Sequence, residues 1–374
     1  MKILCINHEY PPVGGGGATV CETLAEAMAK NGNQVDIVTS GMADLPPREV
    51  RNGVTIYRVR CVRRKRYYST TPELLTQIRP AYRKALELHR KNQYDINHTH
   101  FIVPSGVTSY FLKRATGLPY VLTAHGSDVP GYNPNRFELV HRLIGPLWRR
   151  IIDNCDACTS PSRFLRELLT RSIDVDVTVI PNNYDPPSGT QHLRKDCILV
   201  ASRLVERKGI QFLFAALDAV KPGWKVCIAG DGPYLDRLRE LAARSPVPIE
   251  FLGFTPRETL KELYSSAKIF VFPSLKENFP MVLLEAMAGG CAVVTSLADG
   301  CGEVVGDAAI RIQPRDTTQF REVLSRLTHD ESEIARYRER GMERVQQFSS
   351  SHIAGLYETL FAGVVAEQKN TRRP

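Results

Sequence analysis

The sequence predicts an α/β protein built from two doubly wound, parallel-sheet domains in series. Three observations lead there. Short apolar, β-branched runs alternate with segments of helical period along nearly all of the 374 residues. The alternation breaks once, at Asn183–His192, where two prolines, a glycine and polar residues gather. It then restarts with the same rhythm. No fixed-period repeat or low-complexity tract competes with this picture.

In the first half, Lys2–Asn7 reads as a strand and His8–Gly17 as a glycine-rich loop. Ala18–Lys30 carries apolar residues at Val20, Leu24, Ala27 and Met28, a helical spacing, and Asn31-Gly32 stops it. Gln34–Ser40 and Val54–Val59 follow as strands, and Pro72–Lys91 as one long helix. Strands at Asp95–His100 and Pro119–His125 flank a helix at Ser105–Ala115. Phe137–Asp153 is helical, and short strands at Ala157–Ser160 and Val177–Asn182 bracket the helix Ser162–Arg171.

The second half opens with the strand Cys197–Ser202 and the helix Ile210–Val220. Lys225–Ala229, Ile249–Gly253 and Lys268–Pro273 are strands, separated by helices at Tyr234–Ala243 and Arg257–Ser266. An apolar helix then ends at Gly289-Gly290, with Pro280 suited to its first turn. Strands at Ala292–Ser296 and Ala308–Ile312 precede helices at Thr317–Leu327, Glu331–Phe348 and His352–Val365. The expected divisions are therefore 1–186, 187–350 and a terminal helical segment, 351–374. In such sheets ligands bind outside the carboxyl ends of the strands, and two such domains in series are expected to face each other across a cleft.

Composition narrows the function classes. No apolar run approaches the roughly 18 residues that span a bilayer. Met1–Asn7 is too short for a signal peptide and reads as the first strand, so a cytoplasmic protein is expected. The nine cysteines are scattered, several inside apolar strands, which suits reduced, core-filling thiols. Cys155-Asp-Ala-Cys158 is a lone pair without the second ligand pair of a zinc site, and no metal site is expected. The net charge of +9 is uneven: residues 1–186 hold 24 Lys and Arg against 17 Asp and Glu. The excess concentrates in Arg58, Arg60, Arg63, Arg64, Lys65 and Arg66, ahead of Tyr67 and Tyr68. Such a cluster suits either a solvated loop or peripheral contact with an anionic membrane or phosphorylated acceptor. No recognition motif points to nucleic acid.

Four stretches could carry chemistry. Gly14–Gly17, between the first strand and helix, permits close backbone approach and offers amides to an anion. It is neither GxGxxG in register nor followed by a Walker lysine. Arg203 and Lys208, five residues apart after a strand, can converge on one diphosphate, with Arg207 as a competing charge. Ala229-Gly-Asp-Gly-Pro233 is a turn of the same kind, with Asp231 placed to cap the next helix. In the first half, His125-Gly-Ser-Asp128 ends a strand, and His125 suits a sugar or acceptor contact, with His98 and His100 competing. The most informative stretch is the turn from Lys268–Pro273 into the apolar helix. Glu277 lies in its loop and Glu285 in the helix, with seven residues between, and the amides of Met281 and Val282 open the helix as an anion site.

At that stretch the chain closely resembles the family 4 retaining glycosyltransferases of the GT-B fold, and the likeness spans nearly its whole length. The ordered set carries it: the glycine-rich loop, His125-Gly-Ser-Asp128, Val179-Ile-Pro-Asn182, Arg203 and Lys208-Gly, Ala229-Gly-Asp-Gly-Pro233, Glu277 and Glu285, and Gly302-Glu-Val-Val-Gly-Asp307. The resemblance implies that Arg203 and Lys208 neutralise a donor diphosphate, that Glu277 binds the transferred sugar and Glu285 the ribose. It implies that the backbone around Asn278, Phe279, Pro280, Met281 and Val282 holds phosphate or sugar. It places His125 beside donor sugar and acceptor, lets Gly15 and Gly16 approach the diphosphate, and sends the last helix back to the first domain. The donor would be a UDP- or GDP-linked sugar, the acceptor a sugar, lipid-linked or glycolipid hydroxyl, and no metal would be required. Two departures stand out. Asn278-Phe-Pro-Met281 replaces the common Gly-Phe-Gly-Leu, and Asn183-Tyr184 replaces the usual Gly-Val.

Two other readings compete. A glycoside hydrolase or phosphorylase also uses two carboxylates, about 5–10 Å apart, but here they sit beside a phosphate-type site. A non-catalytic nucleotide-sugar or anionic-lipid binding protein would not need the Arg203, Lys208 and Glu277 set.

Overall fold

A computed structural model describes residues 1–66, 68–132, 134–186 and 193–371. Tyr67 and residues 187–192 of the linker thus lie outside the described residues. The chain divides into two units: Met1–Asn183 together with the chain from Ser349 onward, and Tyr184–Phe348.

The first unit runs β1 (Lys2–Ile6), α1 (Gly16–Lys30), β2 (Gln34–Ser40), β3 (Arg48–Arg51), β4 (Val54–Val59), α2 (Thr71–Thr76), α3 (Ile78–Asn92), β5 (Ile96–His100), α4 (Ser105–Thr116), β6 (Tyr120–Thr123), α5 (Pro134–Asp153), β7 (Ala157–Ser160), α6 (Arg163–Thr170) and β8 (Val177–Val179). Its sheet has the order β3-β4-β2-β1-β5-β6-β7-β8. Every pairing is parallel except β3 with β4. That antiparallel edge was not expected from the sequence. Asn52 and Gly53, at φ 49° and 82°, form the two-residue turn that joins its strands. The expected single helix over Pro72–Lys91 is instead two helices broken at Gln77. Pro80 explains the break: it has no N–H for the carbonyl of Thr76, and its ring crowds that carbonyl.

Strand alternation builds the two faces. Ile3 and Cys5 of β1 enter one core with Leu24 and Met28 of α1. Leu4 and Ile6 enter another with Ala85 and Leu88 of α3 and Leu112 of α4.

The second unit runs β9 (Lys195–Ala201), α7 (Ile210–Phe214), β10 (Lys225–Ala229), α8 (Leu235–Ala242), β11 (Ile249–Gly253), α9 (Arg257–Ser266), β12 (Ala267–Phe272), α10 (Met281–Ala288), β13 (Ala292–Ser296), α11 (Asp299–Val305), β14 (Ile310–Ile312), α12 (Thr317–His329) and α13 (Glu331–Gln346). Its all-parallel sheet is ordered β11-β10-β9-β12-β13-β14. Cys197, Leu199 and Ala201 of β9 pack on one face, and Ile198 and Val200 on the other. Helix α7 is shorter than expected, its predicted remainder giving way to a 3-10 turn at Leu217–Ala219. Helix α11 was not expected. Gly300 hid its period, yet a Cβ there would stand 1.9 Å from the Asn278 carbonyl oxygen, so only glycine fits.

The last helix, α14 (Ser350–Thr371), belongs to the first unit. Ile353, Ala354, Tyr357, Phe361 and Val364 form one helical stripe, buried in the same core as Ile3, Cys5 and the apolar face of α1. Burying a side chain such as Phe361 is worth roughly 1.5–3 kcal/mol. At the rim the Glu358 carboxylate accepts from Asn33 Nδ2 at 2.7 Å and Asn31 Nδ2 at 3.1 Å. No helix among the described residues is long and apolar enough to cross a membrane.

Candidate active site

In the second unit the strand order reverses between β9 and β12, and the loops leaving their carboxyl ends diverge there. Gly209 lets the two loops touch. It sits at φ 70°, and a Cβ on it would lie 2.1 Å from the Pro273 carbonyl oxygen. Leu275 N donates to Arg207 O at 2.9 Å across the same contact. This seam brings together two predicted residues 69 positions apart: Lys208 Nζ reaches Glu277 Oε1 at 2.5 Å. Ser274 Oγ donates to the same oxygen at 2.5 Å, and the ammonium lies over the Phe272 ring at 4.8 Å. Glu277 is 7% exposed. Among the described residues its other oxygen, Oε2, accepts no hydrogen bond, so it is free for a ligand hydroxyl.

Arg203 is exposed at the end of β9. Among the described residues no hydrogen bond or ion pair engages its guanidinium, and none joins it to the Lys208–Glu277 pair. Its loop is held by the turn after β10. Gly230 and Gly232 carry no Cβ where one would stand 1.9 Å from Ser202 O and 2.2 Å from Leu204 O. Leu204 N donates to Asp231 O at 2.9 Å. Asp231 does not cap the next helix as expected. Its Oδ1 accepts from the adjacent Gly232 N at 2.7 Å, and α8 starts only at Leu235, too far along the chain.

Around the start of α10 the predicted contacts divide. Pro280 is the N-cap rather than a residue of the first turn. Met281 and Val282 follow as the first helical residues, whose N–H groups have no acceptor within the helix. Asn278 and Phe279 are turned inward, 5% and 8% exposed, and the Phe279 ring packs edge-on against Phe348 at 5.7 Å. The Phe279 side chain therefore belongs to the core of the second unit. Glu285, half-buried on α10, accepts from Tyr264 OH at 3.2 Å. Burial pushes its carboxyl above the usual range, against the pull of the Tyr264 bond and the Arg257 charge.

In the first unit the corresponding reversal lies between β1 and β5. The loop after β1, Phe101 after β5 and His125 after β6 meet there. The His125 ring meets Phe101 in a tilted contact at 4.4 Å, Phe101 meets His8 edge-on at 4.7 Å, and a Cβ on Gly17 would be 2.9 Å from the Phe101 ring and 3.7 Å from His125 Nδ1. Phe101 holds φ 71°, a conformation that costs energy outside glycine. Asp128 organises the His125 turn: its Oδ1 accepts from His125 N at 3.0 Å and Gly126 N at 2.8 Å, its Oδ2 from Ile102 N at 2.8 Å. His125 Nε2 pairs with His100 Nδ1 at 3.0 Å. His98 and His100 are buried within the sheet, so His125 is the half-buried member of the three. Burial above all, then His100 and His8, holds His125 well below the usual imidazole range.

The glycine-rich loop is not the open anion cradle that its composition suggested. Glu9 Oε2 accepts from Gly15 N at 3.3 Å, and Arg66 O accepts from Gly14 N at 2.8 Å. The helix starts at Gly16, two residues earlier than expected, and its positive end has drawn the nearest carboxylate. Glu9 Oε1 lies 3.7 Å from His8 Nε2 and 3.6 Å from the Arg63 guanidinium.

Burial lowers the His8 imidazole to about 4, with Glu9 opposing and Arg63 assisting. Between pH 6.5 and about 4 the unfolded chain takes up a proton at His8 that the folded chain refuses. Stability is therefore full above 6.5 and falls as pH drops through this window, by about 3 kcal/mol at the limit. Melting temperature against pH is expected to show that fall, and His8→Asn to flatten it; an equally steep slope in the variant refutes the assignment.

The basic cluster is not one surface. Arg58 is buried, 2.7 Å from Glu49 Oε1. Arg63 is turned inward with its side chain 2% exposed, donating to Lys65 O at 3.2 Å and Arg66 O at 3.0 Å as well as meeting Glu9. Arg66 pairs with Asp44. Of the predicted membrane-facing residues Arg63, Arg64, Lys65 and Arg66, Arg63 turns inward and Arg66 sits in a surface ion pair, which leaves Arg64 and Lys65 as exposed charges outside any ion pair among the described residues, beside exposed Arg60. Charge-assisted hydrogen bonds to a carboxylate and to carbonyls offset the cost of burying the Arg58 and Arg63 guanidinium groups.

Family models match both units: one described as Glycosyltransferase Family 4 over residues 14–186, one described as Glycosyl transferases group 1 over residues 186–344. An uncharacterized glycosyltransferase of Methanocaldococcus jannaschii is 31% identical over 332 residues, covering 82% of this chain and 83% of that protein. This chain is a family 4 glycosyltransferase. The glycosyltransferase is also 27% identical to N-acetyl-alpha-D-glucosaminyl L-malate synthase of Bacillus anthracis, over 96% of this chain and 97% of that one. Its fold is GT-B. The crystal structure of Anabaena HepE in complex with UDP and glucose matches with a TM-score of 0.72 at 17% identity, over 97% of this chain and 100% of that one.

Sequence reasoning missed three groups in this glycosyltransferase. Ser274 on Glu277 left no signal, since a serine after a strand is common. Glu9 beside the glycine loop could have been found as a carboxylate seven residues before a helix start. Phe101 could not, because nothing in a single sequence marks its positive φ.

Proposed function

We propose that this glycosyltransferase takes its sugar from a nucleoside diphosphate and transfers it with retention, to build surface polysaccharide, lipopolysaccharide or glycolipid. The Lys208–Glu277 pair carries the reading: a cation and a buried carboxylate, 2.5 Å apart at the strand-order reversal of one sheet. Lys208 and the exposed Arg203 supply positive charge for two phosphates. The amides that open α10 add partial positive charge at the same end of the sheet. Glu277 Oε2 accepts from hydroxyls of the transferred sugar, and Glu285 from the ribose. In the first unit, His125 offers a ring nitrogen to a sugar or acceptor hydroxyl.

In the reaction the bond from the anomeric carbon to the β-phosphate oxygen breaks, and a bond to the acceptor oxygen forms on the same face. The acceptor proton passes to the departing phosphate. Charge develops on that phosphate, where Lys208, Arg203 and the helix start stabilise it, so the chemistry needs neither a resident metal nor a protein base. HepE was solved with UDP and glucose, which favours a uridine donor among those to be tried. Exposed Arg60, Arg64 and Lys65 beside exposed Val62 and Tyr68 support peripheral contact of the first unit with an anionic lipid surface that presents the acceptor.

One experiment tests both levels: nucleotide release from a panel of UDP-, GDP- and ADP-sugars, with and without anionic vesicles carrying lipid-linked acceptors. Release from one donor, stimulated by vesicles and less so in Arg64→Glu/Lys65→Glu, is expected. Release from none of the panel refutes the donor class, and equal stimulation of the charge-reversed chain refutes the surface contact.

A further inference from the structure

A cluster of thiols and imidazoles in the first unit takes no part in the proposed transfer. Parallel pairing sets Cys5 of β1 opposite His98 of β5, and the two-residue period puts His100 on the same face. Helix α1 covers that face and brings in Cys21. The Cys5 and Cys21 sulfurs are 3.6 Å apart. The ligand atoms of Cys5, His98 and His100 all lie within 4.8 Å of one another, and the two imidazole centroids are 4.3 Å apart. All four residues are at most 3% exposed.

We propose that Cys5, Cys21, His98 and His100 form a site for a soft divalent cation, zinc above all. Tetrahedral zinc, with bonds of about 2.3 Å to sulfur, places two thiolates about 3.8 Å apart, close to the spacing found. Each imidazole is held by its other nitrogen, as metal-ligating histidines are. His98 Nε2 pairs with Thr123 Oγ1 at 2.9 Å, and His100 Nδ1 with His125 Nε2 at 3.0 Å. One ring nitrogen of each is left for the ion. Two thiolates and two neutral imidazoles make the filled site neutral, which suits its burial. Binding releases the two thiol protons to solvent. The set contains no carboxylate, so magnesium and calcium are poor occupants. Cys197 and Cys227, 3.3 Å apart in the second unit, are the internal comparison: a thiol pair without imidazoles. Ligation of His100 has one further effect. It fixes the His100 proton on Nδ1, donating to His125 Nε2, and so fixes the His125 proton on Nδ1.

The test uses the full chain, freed of any affinity tag, expressed with added zinc or cobalt and purified under reducing conditions without chelator. About one zinc per chain is expected by mass spectrometry, reduced about tenfold or more in Cys5→Ser and His98→Gln and unchanged in Cys197→Ser. The cobalt form should show thiolate-to-cobalt charge-transfer absorption that Cys5→Ser loses. Should Cys5→Ser fail to fold, Cys21→Ala and the cobalt spectrum of the unaltered chain decide. Metal well below one per chain, metal retained in Cys5→Ser or Cys21→Ala, or a Cys5–Cys21 disulfide in the fresh protein overturns the proposal.

Discussion

Lys208→Ala is expected to lower kcat/KM for transfer by about 10²–10³-fold, equivalent to about 3–4 kcal/mol of lost transition-state stabilisation. In the proposed mechanism Lys208 places a full positive charge where the departing phosphate gains a negative one. It is partly buried, so water does not replace it. The same substitution also leaves Glu277, buried and hydrogen-bonded by Ser274, without its cation. Removing one partner of such a pair costs stability, so the variant should stay folded but melt lower. Adding Glu277→Gln removes the uncompensated charge. The double variant should regain melting temperature without regaining activity. This separation distinguishes a phosphate-binding lysine from one that merely holds a loop. Near-normal turnover by Lys208→Ala from the best donor would sink the diphosphate role.

Glu277→Gln alone is expected to lower kcat/KM about 10–100-fold, the range for losing one charge-assisted hydrogen bond to substrate. Its second signature is a weakened preference among sugars on the same nucleotide, because Oε2 is the atom assigned to the sugar hydroxyls. A third follows from the geometry. Lys208 Nζ, now held 2.5 Å from Glu277 Oε1, is released toward phosphate, so the free nucleoside diphosphate should bind no more weakly than before. Competition calorimetry with the product nucleotide checks this. Unchanged turnover together with unchanged donor preference would remove Glu277 from the sugar site.

The parallel part of both sheets was legible because most of its strands, buried on two faces, read as apolar runs. The candidate site residues Arg203, Lys208, Glu277 and His125 came forward where loops leave such strands. What a single chain hides is convergence. Lys208 and Glu277 each looked like a separate ligand contact, and only sheet order shows that they neutralise each other. The glycine loop looked vacant because composition gives backbone freedom but not the neighbour, Glu9, that uses it. The basic run misled for a related reason. Charge is counted along the chain, but Arg63 and Arg58 point into carboxylates and carbonyls that come from elsewhere. The unexpected hairpin of β3 and β4 was within reach through Asn52-Gly53. The split between α2 and α3 was as well, through Pro80.

The path of the chain makes the second unit, Tyr184–Phe348, an uninterrupted insertion into the first. During synthesis β1 leaves the ribosome before the second unit, but the layer it packs against includes Tyr357, Phe361 and Val364, which leave after that unit. The nascent first unit therefore carries an uncovered apolar face while the second has all of its residues in hand. The core around Ile3 can therefore be completed only after the whole of the second unit has been made.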